Sequence, residues 1–355
     1  MRPSAKKALT TGDEDVDVRL QELVADLSPF DAQLVFELMA SALALAKDPI
    51  SRLDRKIVNT ALKEMRYAFG VFAPYRHVRK VTIFGSARTG KGQPAYALAR
   101  DFSRKIAERE WMVVTGAGPG IMEAGHEGAG GARSFGVNIL LPFESTANPV
   151  IAGDPKLINF KYFFTRKLMF IKESHAFVLL PGGFGTLDEA FELLTLIQTG
   201  KSDLHPIVML DVKGGTYWKL FDRYVKDELV ANGYVSPSDL ALFRYTDDVD
   251  DAVEEIERFY RIYHSQRYVA DRLVLRLRVM PTQAHLDALS EEFSDILGGR
   301  IEPTDPSAGE VRDDDVVDLP RIALNFNRVH SGRLRTLVDR INELPLSVRE
   351  QKPAS

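Results

Sequence analysis

One stretch, His175 to Glu192 (HAFVLLPGGFGTLDEAFE), limits what this chain can fold into more than any other. Ala176 to Leu180 is a short apolar run and Pro181-Gly182-Gly183-Phe184-Gly185-Thr186 interrupts it. Apolar residues then return at helical spacing through Leu187, Ala190, Phe191, Leu194 and Ile197. The order is strand, glycine loop, helix. In an open parallel sheet such loops lie at the carboxyl edge, where ligands bind, and glycines let a phosphate approach the amides of a helix N-terminus. Anion binding is the first expectation. A local explanation stands beside it, because Thr186 and Glu189 have the spacing of a capping box and the glycines would serve a plain turn equally well.

The surrounding sequence extends the pattern. From Val78 to about Tyr263, apolar runs at Val81 to Phe84, Met112 to Val114, Val137 to Leu141, Ile158 to Phe160, Ala176 to Leu180 and Ile207 to Leu210 alternate with helical stretches such as Pro94 to Arg109 and Trp218 to Val230. This predicts an α/β fold, a Rossmann-like doubly wound parallel sheet, over residues 78–263. Residues 1–16 read as a disordered tail and 17–77 as a helical segment, with helices over Pro29 to Ala46 and Ser51 to Phe72. Residues 264–355 read as a small α+β module. Strands are expected near Arg272 to Met280 and Ile322 to Asn327, helices near His285 to Leu297 and Gly332 to Leu344, with an acidic loop over Glu302 to Asp318. A ferredoxin-like arrangement is the nearest pattern for that module, and an oligomer contact or a lid over the sheet edge its plainest role.

Composition removes several function classes. With no cysteine among 355 residues, disulfides, thiolate metal sites and cysteine nucleophiles are excluded. Lys and Arg number 46 against 50 Asp and Glu, so no global basic field draws the chain to nucleic acid. No apolar run approaches a membrane span and the first sixteen residues lack a signal-peptide core, so a cytoplasmic protein without membrane or nucleic-acid partners is expected.

Two further glycine loops precede the central one. Gly85-Ser86-Ala87-Arg88-Thr89-Gly90-Lys91-Gly92 approaches a P-loop, but Gly92 stands where a magnesium-binding Ser or Thr belongs. Gly116-Ala117-Gly118-Pro119-Gly120 follows a strand and opens a helix, yet Ile121 replaces the last glycine of the dinucleotide fingerprint. Each alone would be an ordinary turn. Three at successive strand ends would line one crevice. Arg166-Lys167 lies one strand before the central loop, which would let Arg166 face the same crevice as Glu189. The seven histidines form no metal pattern, and no metal or cofactor is expected.

With these residues in view, the chain resembles the Lonely-Guy family of nucleoside 5′-monophosphate phosphoribohydrolases. The resemblance rests on Pro181 to Glu189, matching PGGxGTxxE, and on the Arg166-Lys167 pair upstream. The Gly85-Ser86 and Gly116 to Glu123 loops are similar to the family's first and second loops. It covers about Val78 to Ile262 and implies a Rossmann-like fold, a homodimer or higher homo-oligomer, and hydrolysis of the N-glycosidic bond of AMP or an N6-substituted AMP. By the same resemblance Arg166 and Glu189 are the catalytic pair. Gly183, Gly185 and Thr186 hold the phosphate, with Gly85, Ser86, Gly116, Gly118 and Gly182 around the substrate; Lys167, Thr195 and Glu144 match further substrate positions. The rival from another class is a nucleotide or cofactor carrier that uses the same crevice without chemistry.

Overall fold

The computed structural model describes residues 10–140 and 147–345. The chain divides into two compact units, Met1–Arg66 and Tyr67–Ser355.

In the first unit, helix α1 (Glu14–Leu23) starts inside the stretch expected to be disordered. Asp13 caps it by accepting from the Val16 amide, and the Thr11 N–H and hydroxyl both donate to Asp17 Oδ1. Leu20 and Val24 then pack with Phe36 and Ala40 of α2 (Pro29–Lys47). The polar residues before Leu20 hide that apolar face in the sequence. Contrary to the expectation of no such run, the 19-residue α2 is by length and composition long and apolar enough to cross a membrane, its most apolar 18-residue window having a mean hydropathy of 1.3 with 11% of it buried. Helix α3 (Arg52–Phe72) follows.

The second unit is built on a parallel sheet of seven strands. In chain order they are β1 (Lys80–Phe84), β2 (Met112–Thr115), β3 (Ser134–Ile139), β4 (Leu157–Phe160), β5 (Ala176–Leu179), β6 (Ile207–Leu210) and β7 (Arg244–Thr246). Their order in space is β4-β3-β2-β1-β5-β6-β7. Every residue of β1, β2, β5 and β6 is buried, which is why they read as unbroken apolar runs rather than alternating ones. The helices are α4 (Pro94–Glu108), α5 (Ile121–Ala129), α6 (Phe163–Glu173), α7 (Phe184–Gln198), α8 (Tyr217–Tyr224) and α9 (Val249–Phe259). The fold is α/β and Rossmann-like, as expected.

The differences are local. Strand β3 begins at Ser134, before the expected Val137; Gly136, which interrupts the apolar run, lies where a Cβ would press on Leu157 and Ala117. The helix expected from Trp218 to Val230 changes pitch, passing from α8 into a π-helical turn over Val225–Val230. Strand β7, three residues at the sheet edge and partly exposed, carries too short an apolar pattern to be seen.

The C-terminal residues form a second sheet of four antiparallel strands, β8 (Tyr263–Val269), β9 (Arg272–Leu277), β10 (Glu302–Thr304) and β11 (Arg321–Leu324), in the order β10-β11-β9-β8. Helices α10 (Gln283–Glu292), α11 (Ala308–Arg312) and α12 (Ser331–Glu343) connect and follow them. Neither the ββαβαβα sequence of elements nor this strand order is ferredoxin-like, which corrects the expectation. The acidic segment is not a plain loop either. It contains β10 and α11, fastened by a Ser307–Glu310 capping box and by Arg276, whose Nη2 lies 2.7 Å from Glu310. Asn342 of α12 ties that helix to the turn between α9 and β8, accepting from the Ile262 and Tyr263 amides and donating to the Phe259 carbonyl.

Candidate functional site

The strand order reverses between β1 and β5, so the loops leaving their carboxyl ends diverge and open a crevice. Hydrogen bonds fix the three glycine loops to one another there. The Ser86 amide donates to the Pro181 carbonyl at 3.2 Å, and the Ile121 amide donates to the Ser86 carbonyl at 3.1 Å. Two glycines are dictated by this closeness. Gly120 has φ +70° and faces the Ser86 carbonyl, while a Cβ on Gly116 would run into the Arg166 guanidinium.

The loops enclose a cavity of ≈ 1030 Å³. Gly85, Ser86, Gly116 and Gly118 line it from the first two loops, and Gly182, Gly183, Gly185 and Thr186 from the third. Arg166 and Glu189 stand in its wall. The spaces in which Gly183 and Gly185 would carry side chains are open, so their backbone is accessible to a ligand at the N-terminus of α7. The capping box weighed from the sequence does not form. Gly183 is the N-cap, the Thr186 amide donates to the Gly183 carbonyl at 3.1 Å, and the Glu189 carboxyl is left to the cavity.

Two expected residues do not line the cavity. Thr195 is exposed and its hydroxyl donates to the Phe191 carbonyl of its own helix; six residues after Glu189, it lies roughly 240° around α7 and away from the crevice. Lys167 is turned from the cavity by its place on α6 and held by Asp188 at 2.8 Å and Glu192 at 2.5 Å. Glu144 lies outside the described residues.

Electrostatics separate Glu189 from the other carboxylates. It is 8% exposed, and burial pushes its pKa up to about 7 against the opposing pull of Lys167 and then Arg166. Burial lowers the pKa of Arg166 too, partly offset by Glu189. The Arg166 Nε–H donates to the Val137 carbonyl at 2.8 Å and the guanidinium lies 5.1 Å from the Phe170 ring centroid, so backbone and ring orient it, with no carboxylate ion-paired to it among the described residues. A cation and a carboxyl whose pKa burial raises thus share one crevice, with no ion pair between them among the described residues.

Sequence reasoning missed the residues that hold or shape the loops. Asn148 accepts none of the attention its motif-free setting gives it, yet its side-chain amide donates to the Ala117 and Gly118 carbonyls at 3.0 and 3.1 Å. Behind it stands His126, buried and kept neutral because burial lowers its pKa; its Nε2–H donates to the Phe135 carbonyl at 3.0 Å, leaving Nδ1 to accept from Asn148. Tyr217 lines the cavity and donates its hydroxyl to the Gly182 carbonyl at 2.7 Å. Phe163 and Phe184, 52% and 94% exposed, stand at the rim. No lining residue lies beyond Tyr217 among the described residues. No group of three His, Asp or Glu side chains is placed to hold a metal ion among the described residues.

Comparison with known proteins places this geometry. Residues 120–256 match the family model described as possible lysine decarboxylase. A cytokinin riboside 5′-monophosphate phosphoribohydrolase of Arabidopsis thaliana is 29% identical over 188 residues, 51% of this chain and 83% of the relative. A probable enzyme of the same name from Oryza sativa subsp. japonica is 30% identical over 188 residues, 51% of this chain and 78% of the relative. Among solved structures, the molybdenum cofactor carrier protein of Chlamydomonas reinhardtii covers 51% of this chain and 97% of its own at 18% identity, with a TM-score of 0.35, a likeness too slight to bear on function. The 30% identity over 78% of the rice relative shows that the chain belongs to the Lonely-Guy family.

Proposed function

We propose that the crevice hydrolyses the N-glycosidic bond of a purine nucleoside 5′-monophosphate, AMP or an N6-substituted AMP, to the free base and ribose 5-phosphate. The observation that carries this reading is Glu189, a buried carboxyl with a pKa near 7 in the same cavity as Arg166 and an accessible helix N-terminus.

In this reading the 5′-phosphate lies on the amides of Gly183, Gly185 and Thr186, where the α7 dipole favours an anion. Arg166 holds the ribose phosphate or hydroxyls and converts that binding into placement of the anomeric carbon. As the C–N bond breaks, positive charge builds on the ribose ring; the ionised Glu189 stabilises it and takes a proton from the water that adds to the anomeric carbon. The electron pair of the broken bond leaves with the base.

A homodimer accompanies this reading. Phe163, Phe164 and Leu168 on α6 and Phe184 and Phe191 on α7 are 41–94% exposed, an apolar surface beside the crevice of the kind a second copy would cover. Light scattering on the purified chain would measure its mass. The activity is tested by chromatography of reactions with AMP and isopentenyl-AMP. Release of base and ribose 5-phosphate, lost in Glu189→Gln and Arg166→Ala with the fold intact, is the expected result. Saturable nucleotide binding without release in the unsubstituted chain would replace this reading with that of a carrier.

A further inference from the structure

The second glycine loop stores backbone strain beside the crevice. Six non-glycine residues have positive φ among the described residues, and Ala117, at +62°, is the one of them that is buried. A residue with a Cβ avoids this region, so the surrounding structure must hold it there. Glycine would relieve the strain, but the Ala117 methyl fills a place: a Cβ built on Gly136 would come within 3.0 Å of it. The methyl thus packs on β3 one residue before Val137, whose carbonyl anchors Arg166. On its other side Ala117 follows Gly116, whose missing Cβ leaves the space that the guanidinium occupies. The strained residue sits between the two features that seat Arg166.

The backbone groups of Ala117 are pinned on both sides. Its amide donates to Thr115 Oγ1 at 3.0 Å. Its carbonyl accepts twice from Asn148, from the backbone amide at 2.8 Å and from Nδ2 at 3.0 Å. Nδ2 also reaches the Gly118 carbonyl at 3.1 Å, and Asn148 is buried. His126, buried as well, orients that side-chain amide. Its Nε2–H is held between the Phe135 carbonyl and Thr115 Oγ1, each at 3.0 Å, which leaves Nδ1 to accept from Asn148 Nδ2 at 3.1 Å. Neither Asn148 nor His126 lines the cavity, so both act through the loop and not on a ligand.

We propose that Asn148, seated by His126, is a positioning residue for Arg166: it locks Ala117 in the left-handed conformation and so keeps Gly116 and Val137 placed to receive the guanidinium. Its effect on rate rests on the reaction proposed above, whereas its effect on the placement of the guanidinium does not.

Two readouts keep these apart. Hydrogen exchange of the Arg166 Nε–H, followed by NMR on protein carrying isotope-labelled arginine and assigned by its loss in Arg166→Lys, reports the bond to Val137 without any substrate. Turnover of AMP reports the reaction. Asn148→Ala is expected to speed the exchange roughly tenfold, as the local structure opens more often. It should lower kcat about a hundredfold, the scale of a misplacement of about 1 Å, while KM changes less because the α7 amides are untouched. Ala117→Gly removes the need for the lock, since glycine adopts positive φ freely. The variant carrying both Ala117→Gly and Asn148→Ala should therefore return exchange and kcat to within about threefold of Ala117→Gly alone. An Asn148 that served stability alone would lower the melting temperature without this rescue. If the unsubstituted chain does not turn over AMP, the proposed reaction falls and the exchange rates alone decide. Exchange unmoved in Asn148→Ala, or sped and not restored by Ala117→Gly, overturns the proposal. Should Asn148→Ala not fold, Asn148→Ser, which keeps a hydroxyl in the same pocket, is read in the same way. Failure of both to fold, with or without Ala117→Gly, makes Asn148 a structural residue and overturns the proposal too.

Discussion

The Arg166 guanidinium occupies the space in which Gly116 would carry a Cβ, and its Nε–H is anchored on the Val137 carbonyl at 2.8 Å. The second glycine loop and the arginine are therefore fitted to each other, and the smallest side chain added at one displaces the other. Gly116→Ala is expected to fold, because its φ is not in the left-handed region, but to push the guanidinium out of place. A misplacement of about 1 Å costs on the order of a hundredfold in rate. Steady-state kinetics on AMP with an unchanged circular dichroism spectrum checks this; a rate within a few fold of the unsubstituted chain would mean that Arg166 placement is not critical.

Glu189 must be ionised to stabilise positive charge and accept a proton, and its pKa stands near 7. The rate constant kcat/KM should therefore rise with pH through about 7 and level off above it. Lys167 is the first of the charges that pull this pKa down, and it also neutralises Asp188 and Glu192, which push it up. Lys167→Met should thus shift the midpoint of the profile upward even though Lys167 does not line the cavity. A midpoint that stays or falls in that variant would separate Lys167 from Glu189.

The same carboxyl carries a stability cost with a definite sign. Since its folded-state pKa exceeds the ordinary 4.5, the folded protein binds the proton more tightly than the unfolded chain, and stability falls as pH climbs from 4.5 through about 7. The full cost, up to roughly 3 kcal/mol, is present above pH 7. Glu189→Gln removes the charge and should raise the melting temperature at pH 8, with the gain shrinking toward pH 5. Thermal unfolding at the two pH values measures it. An equal gain at both would assign the effect to packing rather than ionisation.

The parts legible in the sequence are those whose signal is local. Pro181 to Thr186 breaks an apolar run at a fixed distance from the next one, and Gly116 and Gly120 report backbone closeness wherever they occur. The parts that were not legible depend on partners distant in the chain. Asn148 supports the Ala117–Gly118 turn from thirty residues away, and nothing in its neighbours marks it. Thr195 lies outside the cavity lining because its helical phase turns it away from Glu189, which spacing along the chain did not show. Helix α1 was obscured because its cap and acidic first turn are polar, while the apolar face that orders it needs Phe36 and Ala40 to become visible. The Thr186–Glu189 spacing suited a capping box, but Gly183 takes the cap position and burial assigns the carboxyl elsewhere.

Tyr217 illustrates a positioning residue found only in three dimensions. Its hydroxyl donates to the Gly182 carbonyl at 2.7 Å, while its own amide is held by Asp211 Oδ2 at 3.1 Å, so the start of α8 braces the loop after β5. Asp211 is 2% exposed and its other oxygen accepts from the Val212 amide at 2.8 Å, which fixes the brace from below. Tyr217→Phe keeps the ring and removes one hydrogen bond, an expected loss of about 1 kcal/mol in stability. The loop it releases is the one assigned to the substrate phosphate. Its KM for AMP should therefore rise several fold, with a smaller change in kcat, since the reacting groups on α6 and α7 keep their places. Tyr217→Ala, which also opens the wall, should raise KM further. Comparison of KM and kcat for the two variants decides the role: a fall confined to kcat in Tyr217→Phe would place the hydroxyl at the reacting atoms, and unchanged kinetics would leave Tyr217 a packing residue.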